Sequence, residues 1–405
     1  MCFERGRLPS YVLVLLVAAC AGIGLGSAAR TTAPAQAPAN VTAPIAAAVP
    51  AAAGEVKGTA STLGEGQAAV TVLHLWGSPR EMGYAHGKLV AGKARAFYGQ
   101  IIATMCLGMG VTPAALDRAW AQMEPFVPPA YLEEMAGLAE GAGVDLQTVK
   151  RAHAIPDVSE MDCTFFAAWG DFTPNRHFLQ LRALDYATQA HIQDNPAIIV
   201  YHPRRGPAYV NIGWCGFVGM ITGMNEKRVC MSEIGDDFDK AVQTYQGEPM
   251  PFVMRDVVSR ATTLEQGVKI VRDARRTSSF LYLIGDAKLP GARALKTGPK
   301  TFEVYDEKTI PYGALGKVVW MSMGADSPWN EKVGNALRAQ AGTLTVESAM
   351  NQITRGLHTG SLHTVYFDAT DLKVWVANAA PDGSPAYQRD SVCFDFAAAK
   401  EKPKR

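Results

Sequence analysis

The sequence predicts an α+β fold in which antiparallel sheets pack against layers of helix. Three observations predict it. Strand-like and helix-like segments alternate in blocks, not one by one. The strand segments are joined by short turns, as hairpins, more often than by crossovers. Of the 405 residues 48% are hydrophobic, enough for a sizeable core. No internal repeat is present.

The elements follow in chain order. Arg5 and Arg7 precede the apolar run YVLVLLVAA (11–19), which is too short to span a bilayer as a stable helix. The run leads through V-A-A into Cys20, the pattern of a bacterial lipobox. Ordinary secretory cleavage near G-S-A-A (26–29) is the competing reading. Residues 1–29 are thus expected to be an export signal, with Cys20 the lipidated residue on the first reading. Two or three acyl chains would hold the protein firmly on a membrane, in the periplasm or at the cell surface. Residues 30–65 are expected to be a tether, almost wholly Ala, Pro, Thr and Val as far as residue 56.

A strand is expected at GQAAVTVLHLWG (66–77). Ser78 then caps a helix with Pro79 in its first turn, running to about Cys106. Helices follow at 112–127, with Thr112 as cap, at 128–144, ending on Gly141 and Gly143, and at 145–155. Residues 66–162 are therefore a mostly helical segment. At Cys163 the pattern turns to strands. CTFFAAWG and FLQLRALDY form a hairpin around D-F-T-P-N. AIIVYHP, PAYVNIGW, VGMITGMNE and VCMSEIG continue the strands to residue 235. Helices at 250–261 and 264–275, strands SSFLYLIGD, TFEVYDE and KVVWMSM, and helices at 329–339 and 345–357 precede a closing hairpin, HTVYFDATDLKVWVANA.

The formal net charge is +1 with no basic stripe, which argues against a nucleic-acid partner. Cys2 and Cys20 lie in the signal region, leaving Cys106, Cys163, Cys215, Cys230 and Cys393. That odd number leaves at least one thiol free or paired between chains. No C-x-x-C occurs, and the spacing of His358 and His363 puts no two rings on one helical face, so no metal site is expected. Cys215 and Cys230 flank the G-M-N-E turn, either as a disulfide or as small buried residues.

The first hairpin carries the chemistry. With its turn near residues 173 and 174, Cys163 falls opposite Leu184, between Arg182 and Asp185. A cation beside a thiol favours thiolate, and a carboxylate can orient an amine or the guanidinium. A buried cysteine beside an ordinary Arg–Asp pair is the plainer alternative.

C-T-x-F-A-A-W-G followed by x-L-R-x-L-D-Y resembles the start of the catalytic chain in the isopenicillin N acyltransferase family. That family belongs to the N-terminal-nucleophile (Ntn) hydrolases, with choloylglycine hydrolases and acid-ceramidase-like amidases. GSPREMGYAHGKLV (77–90), PPAYLEEMAGLAEGAGV (128–144), GWCGFVGMITGMNE (213–226) and SLHTVYFDATDLKVWVANA (361–379) are similar to further blocks of it, in order. The resemblance implies a four-layer αββα sandwich, with 66–162 as prosegment and 163–405 as catalytic chain. It implies self-cleavage between Asp162 and Cys163, which makes Cys163 nucleophile and its own α-amine base. The amide or acyl-transfer reaction it implies needs no cofactor or metal. The implied partner is a small acyl amide, and a membrane is met only through the lipid anchor.

Asp185 matches the acidic residue that contacts the free amine in relatives, and Arg182 the arginine beside the thiol. Asn225 matches the asparagine of G-M-N-E, as a turn residue or an oxyanion donor. The chain departs from the pattern at Ala183, where relatives carry Asn, and at Asp162, where the acyltransferase has Gly. Ser322 is the one side chain offered where the acyltransferase places an oxyanion asparagine. His358 stands where relatives can carry an arginine that meets substrate. A phospholipase-B-like ester hydrolase and a non-catalytic tethered binding module are the rival functions.

Overall fold

Hydrophobic strands buried on both faces set the architecture. The computed structural model describes residues 55–159, 162–236 and 243–402. The signal segment, Cys20 and most of the tether fall outside the described residues.

The chain begins with β1 (Gly58–Leu63) and β2 (Val70–Gly77), followed by helices α1 (Pro79–Leu89), α2 (Ala91–Gly108), α3 (Pro113–Met123), α4 (Pro129–Ala142) and α5 (Leu146–Val158). The hairpin β3 (Asp162–Gly170) and β4 (Arg176–Asp185) comes next, then β5 (Pro196–Pro203), β6 (Tyr209–Trp214), β7 (Thr222–Asn225) and β8 (Val229–Gly235). Helices α6 (Met250–Arg260) and α7 (Leu264–Asp273) lead into β9 (Phe280–Asp286), β10 (Gly291–Thr297), β11 (Phe302–Tyr305) and β12 (Val318–Ser322). Helix α8 (Trp329–Arg338) and a short helix running into a π-turn (Met350–Arg355) precede β13 (His363–Asp368), β14 (Lys373–Asn378) and β15 (Val392–Asp395).

Among the described residues the strands form two sheets, ordered β1-β2-β5-β6-β7-β8-β9-β10-β11 and β12-β3-β4-β13-β14-β15. The sheets face one another: Gln180 of β4 donates to the Ser232 hydroxyl of β8 at 2.8 Å. Helices α6 and α7 cover the outer face of the larger sheet, and α8 with the π-turn covers the smaller. The fold is therefore the α+β sandwich, αββα in layers, that the sequence predicts. Among the described residues the strand pairs are antiparallel except β2 with β5, which run parallel. The path between those two passes through five helices and the hairpin of the other sheet, so the chain can re-enter in the same direction.

Helical starts obey local chemistry. Ser78 and Glu81 make a capping box at α1, with the Ser78 N–H donating to Glu81 at 2.7 Å. Thr112 caps α3 through the Ala115 N–H. Helices α1 and α4 touch backbone to backbone. A β-carbon at Gly83 would run into the Glu134 carbonyl, and one at Gly137 into the Arg80 carbonyl.

Several expectations are corrected. Residues 58–63, inside the expected tether, are a strand, because their backbone pairs with β2 from Gly58↔Leu75 to Leu63↔Val70. The single helix expected to Cys106 is two, broken at Val90, whose ψ of 30° leaves the helical path. β10, of seven residues, and β15, of four, are not expected from the sequence, and each is held as a strand by pairing with a neighbour, β9 and β14. Cys215 and Cys230 form no disulfide. Both are free and buried.

Candidate active site

The hairpin turn sets the register on which the site depends. Cys163 pairs with Leu184 and Phe165 with Arg182, as the turn position predicts. Alternation along β4 sends Arg182 and Leu184 inward, toward the larger sheet, and Ala183 and Asp185 outward. Cys163, opposite Leu184, faces inward and is fully buried.

Four side chains converge there. Arg182 Nη2 lies 3.4 Å from Cys163 Sγ and 3.2 Å from Glu233 Oε2. Its Nε donates to the Glu233 carbonyl at 3.0 Å. Its Nη1 donates to His363 Nε2 at 3.3 Å, which makes that nitrogen the acceptor and leaves the ring proton on Nδ1. The His363 ring stacks on Trp214, centroids 5.6 Å apart. All four side chains are buried.

Burial dominates the electrostatics. It pushes the Cys163 thiol well above its ordinary value, and the Arg182 charge only partly offsets this. The arginine alone therefore does not make a thiolate of Cys163. Glu233 is pushed up to about 7 by burial, against the pull of Arg182. His363 is held neutral, first by burial and then by the same guanidinium.

Asp185 does something else. It accepts from the Thr359 hydroxyl at 2.7 Å and from the Gly360 and Ser361 N–H groups, both at 2.8 Å. The guanidinium partner is Glu233, not Asp185, because the two β4 residues face opposite sides of the sheet. Asp185 pairs across the strands with Asp162, at the end of β3 where the expected cut falls. Burial raises both carboxyls. Thr359 also meets Thr164 at 2.9 Å, and Thr164 meets the Ser322 hydroxyl at 2.7 Å.

That chain of hydroxyls redirects Ser322. It pairs with Thr164 on the outer face, away from the thiol, so its hydroxyl is committed to Thr164 and does not face Cys163. The turn after it lies beside the thiol's own residue: the Met323 N–H donates to the Cys163 carbonyl at 2.8 Å. Asn330 braces this turn, accepting from the Ser322 N–H and donating to the Gly324, Ala325 and Ser327 carbonyls.

Asn225 is a turn residue. Its amide donates to the Val258 and Ala261 carbonyls at 2.8 Å each, and its oxygen accepts from the Lys227 and Val229 N–H groups. No donor is left for an oxyanion. His358 is exposed, stacked on Tyr387, and joins the site only as the neighbour of Thr359. Sequence reasoning missed Glu233 and His363. Glu233 had a visible signal, a lone acid in the apolar strand VCMSEIG, whereas His363 had none beyond its strand position.

The class defined so far is an α+β sandwich with a cysteine, an arginine, a glutamate and a histidine buried between its sheets. No family model matches the chain. It is 24% identical over 379 residues to protein dcd1B of Dictyostelium discoideum, covering 82% of this chain and 75% of that protein. Protein dcd1A of the same organism is 22% identical over 376 residues, covering 81% and 85%. Among solved structures the chain is similar to an N-acylethanolamine-hydrolyzing acid amidase ortholog from Caenorhabditis elegans. There the identity is 12% and the TM-score 0.43, covering 57% of this chain and 100% of that one. Penicillin V acylase from Agrobacterium tumefaciens gives 11% and 0.36, covering 54% and 83%. A conjugated bile acid hydrolase from Clostridium perfringens gives 11% and 0.37, covering 58% and 93%.

Proposed function

We propose that the protein is an exported, self-processing cysteine hydrolase of the Ntn type that acts on a linear amide bond, by hydrolysis or by acyl transfer. The observation that carries this reading is the Arg182 contact with the Cys163 thiol at the second residue of β3.

In maturation Cys163 Sγ attacks the Asp162 carbonyl carbon. The peptide C–N bond breaks as a thioester forms. Water then splits the thioester into the Asp162 carboxylate and the free thiol, leaving Cys163 with an α-amine. That amine titrates at about pH 8 when unperturbed, close enough to neutrality to move a proton. It takes the thiol proton as Sγ attacks the substrate carbonyl and gives it to the departing amine. Water or a second amine resolves the new thioester.

Arg182 draws the thiol toward ionisation, and Glu233 and His363 hold the guanidinium in place. Asp185 is the acidic group at the strand end where the amine is released. In the turn after β12 the Met323 and Ala325 N–H groups already donate to the Cys163 carbonyl and to Asp236 Oδ1, so the Gly324 N–H is the candidate backbone oxyanion donor. The same reading takes residues 1–29 as the export signal and Cys20 as the lipidated residue.

Intact mass of the purified protein beside Cys163→Ala tests this. The expected result is two chains from the wild type, the larger beginning at Cys163, and one from the variant. Two uncut proteins would overturn it. Matched amide and ester substrates then separate an amidase from an ester hydrolase.

A further inference from the structure

A second cluster of chemistry-bearing side chains lies at the far end of the same hairpin. His177 stands near the start of β4, and Asp368 and Asp371 stand at the end of β13 and in the turn after it. One ligand atom from each lies within 4.8 Å of the other two. Around an ion bound at about 2.1 Å, tetrahedral ligand atoms sit about 3.4 Å apart, so small side-chain rotations close the cluster onto one cation.

We propose that His177, Asp368 and Asp371 form a binding site for one divalent first-row transition cation, of the manganese or zinc type. One imidazole and two carboxylates suit these ions. The arrangement is braced. The Thr370 and Asp371 N–H groups hold Asp368 Oδ1 at 3.1 and 3.2 Å, which turns Oδ2 toward His177 Nδ1 at 2.8 Å. Thr173 fixes the His177 backbone, its hydroxyl donating to the carbonyl at 2.9 Å. Such outer partners orient metal ligands.

Charge points the same way. Two carboxylates are neighbours, and among the described residues no lysine or arginine pairs with either. Asp371 accepts no hydrogen bond there and is exposed. Access is open, because His177 and Asp368 line a cavity of about 490 Å³ with Leu179, Met350, Trp375 and Cys393. This leaves coordination positions for water or a small anionic ligand.

The site is separate from the thiol. His177 lies seven residues before Leu184, the partner of Cys163, so about 23 Å away along the strand. It also faces the outer side of the sheet, so the proposal stands whether or not Cys163 is catalytic.

Manganese is the probe of choice because thiols compete poorly for it. Loss of the free-ion electron paramagnetic resonance signal on titration into the full chain counts bound manganese. One saturable ion per chain is expected, displaced by zinc. Asp371→Asn, at an exposed position, and His177→Gln should each weaken binding by about tenfold or more. Cys393→Ser should leave it unchanged. No saturable binding, or binding that survives both ligand substitutions, would overturn the proposal.

Discussion

Glu233 is expected to make the protein less stable as pH rises, and Glu233→Gln to remove that dependence. The carboxyl is fully buried and sits at about 7 against an ordinary 4.5. Because the folded-state value is the higher, its stabilising contribution is complete below about pH 4.5 and is lost as pH rises through about 7. At about 1.4 kcal/mol per pH unit the rise amounts to about 3 kcal/mol. Glutamine keeps the shape and an acceptor for Arg182 but cannot titrate. Denaturant unfolding at about pH 5 and about pH 8, in a Cys163→Ala background in which the proposed self-cleavage would not occur, measures the difference. The wild-type side chain should lose about 2 to 3 kcal/mol more than the variant across that interval. Asp157 and Glu248, raised by burial to about 7 and about 8, titrate in the same window in both proteins, and the repulsion between Asp157 and Glu233 is part of the difference measured. Equal pH dependence in the two would refute the view that burial outweighs the arginine at this carboxyl.

Three further outcomes follow from packing. Arg255 of α6 meets Glu134 of α4 at 2.7 Å, both buried, with the guanidinium 4.2 Å from the Tyr201 ring centroid. Arg255→Met strands the carboxylate and should cost about 3 to 5 kcal/mol in urea unfolding; a loss under about 1 would mean that the pair is not what joins these helices. Gly137→Ala should cost about 1 to 3 kcal/mol by forcing α1 from α4, while Gly92→Ala, whose added carbon meets nothing, should be neutral or stabilising by melting temperature. Asn225→Ala should destabilise by about 2 to 4 kcal/mol through four lost hydrogen bonds. If the folded variant is instead stable but fails to process, Asn225 returns to the catalytic set.

What local chemistry controls was legible in the amino acids alone. D-F-T-P-N fixed a turn, the turn fixed the β3–β4 register, and the register put Arg182 beside Cys163. Ser78, Pro79 and Thr112 fixed helix starts, and the polarity change at Cys163 marked the passage from helices to sheets. Features that depend on contacts between distant segments were not legible there. β1 is a strand because β2 lies beside it, not because G-T-A-S-T-L prefers to be one. Glu233 and His363 reach Arg182 from 51 and 181 residues away in sequence, across a sheet interface and from a neighbouring strand. Asp185, three residues after Arg182 on β4, is on the other face of the strand, since alternation sends residues three apart to opposite sides. Sequence distance measures which groups can meet through a turn. Which groups share a buried face is settled by how two sheets close on each other, and that closure also makes burial, not the nearby arginine, the dominant influence on the Cys163 thiol.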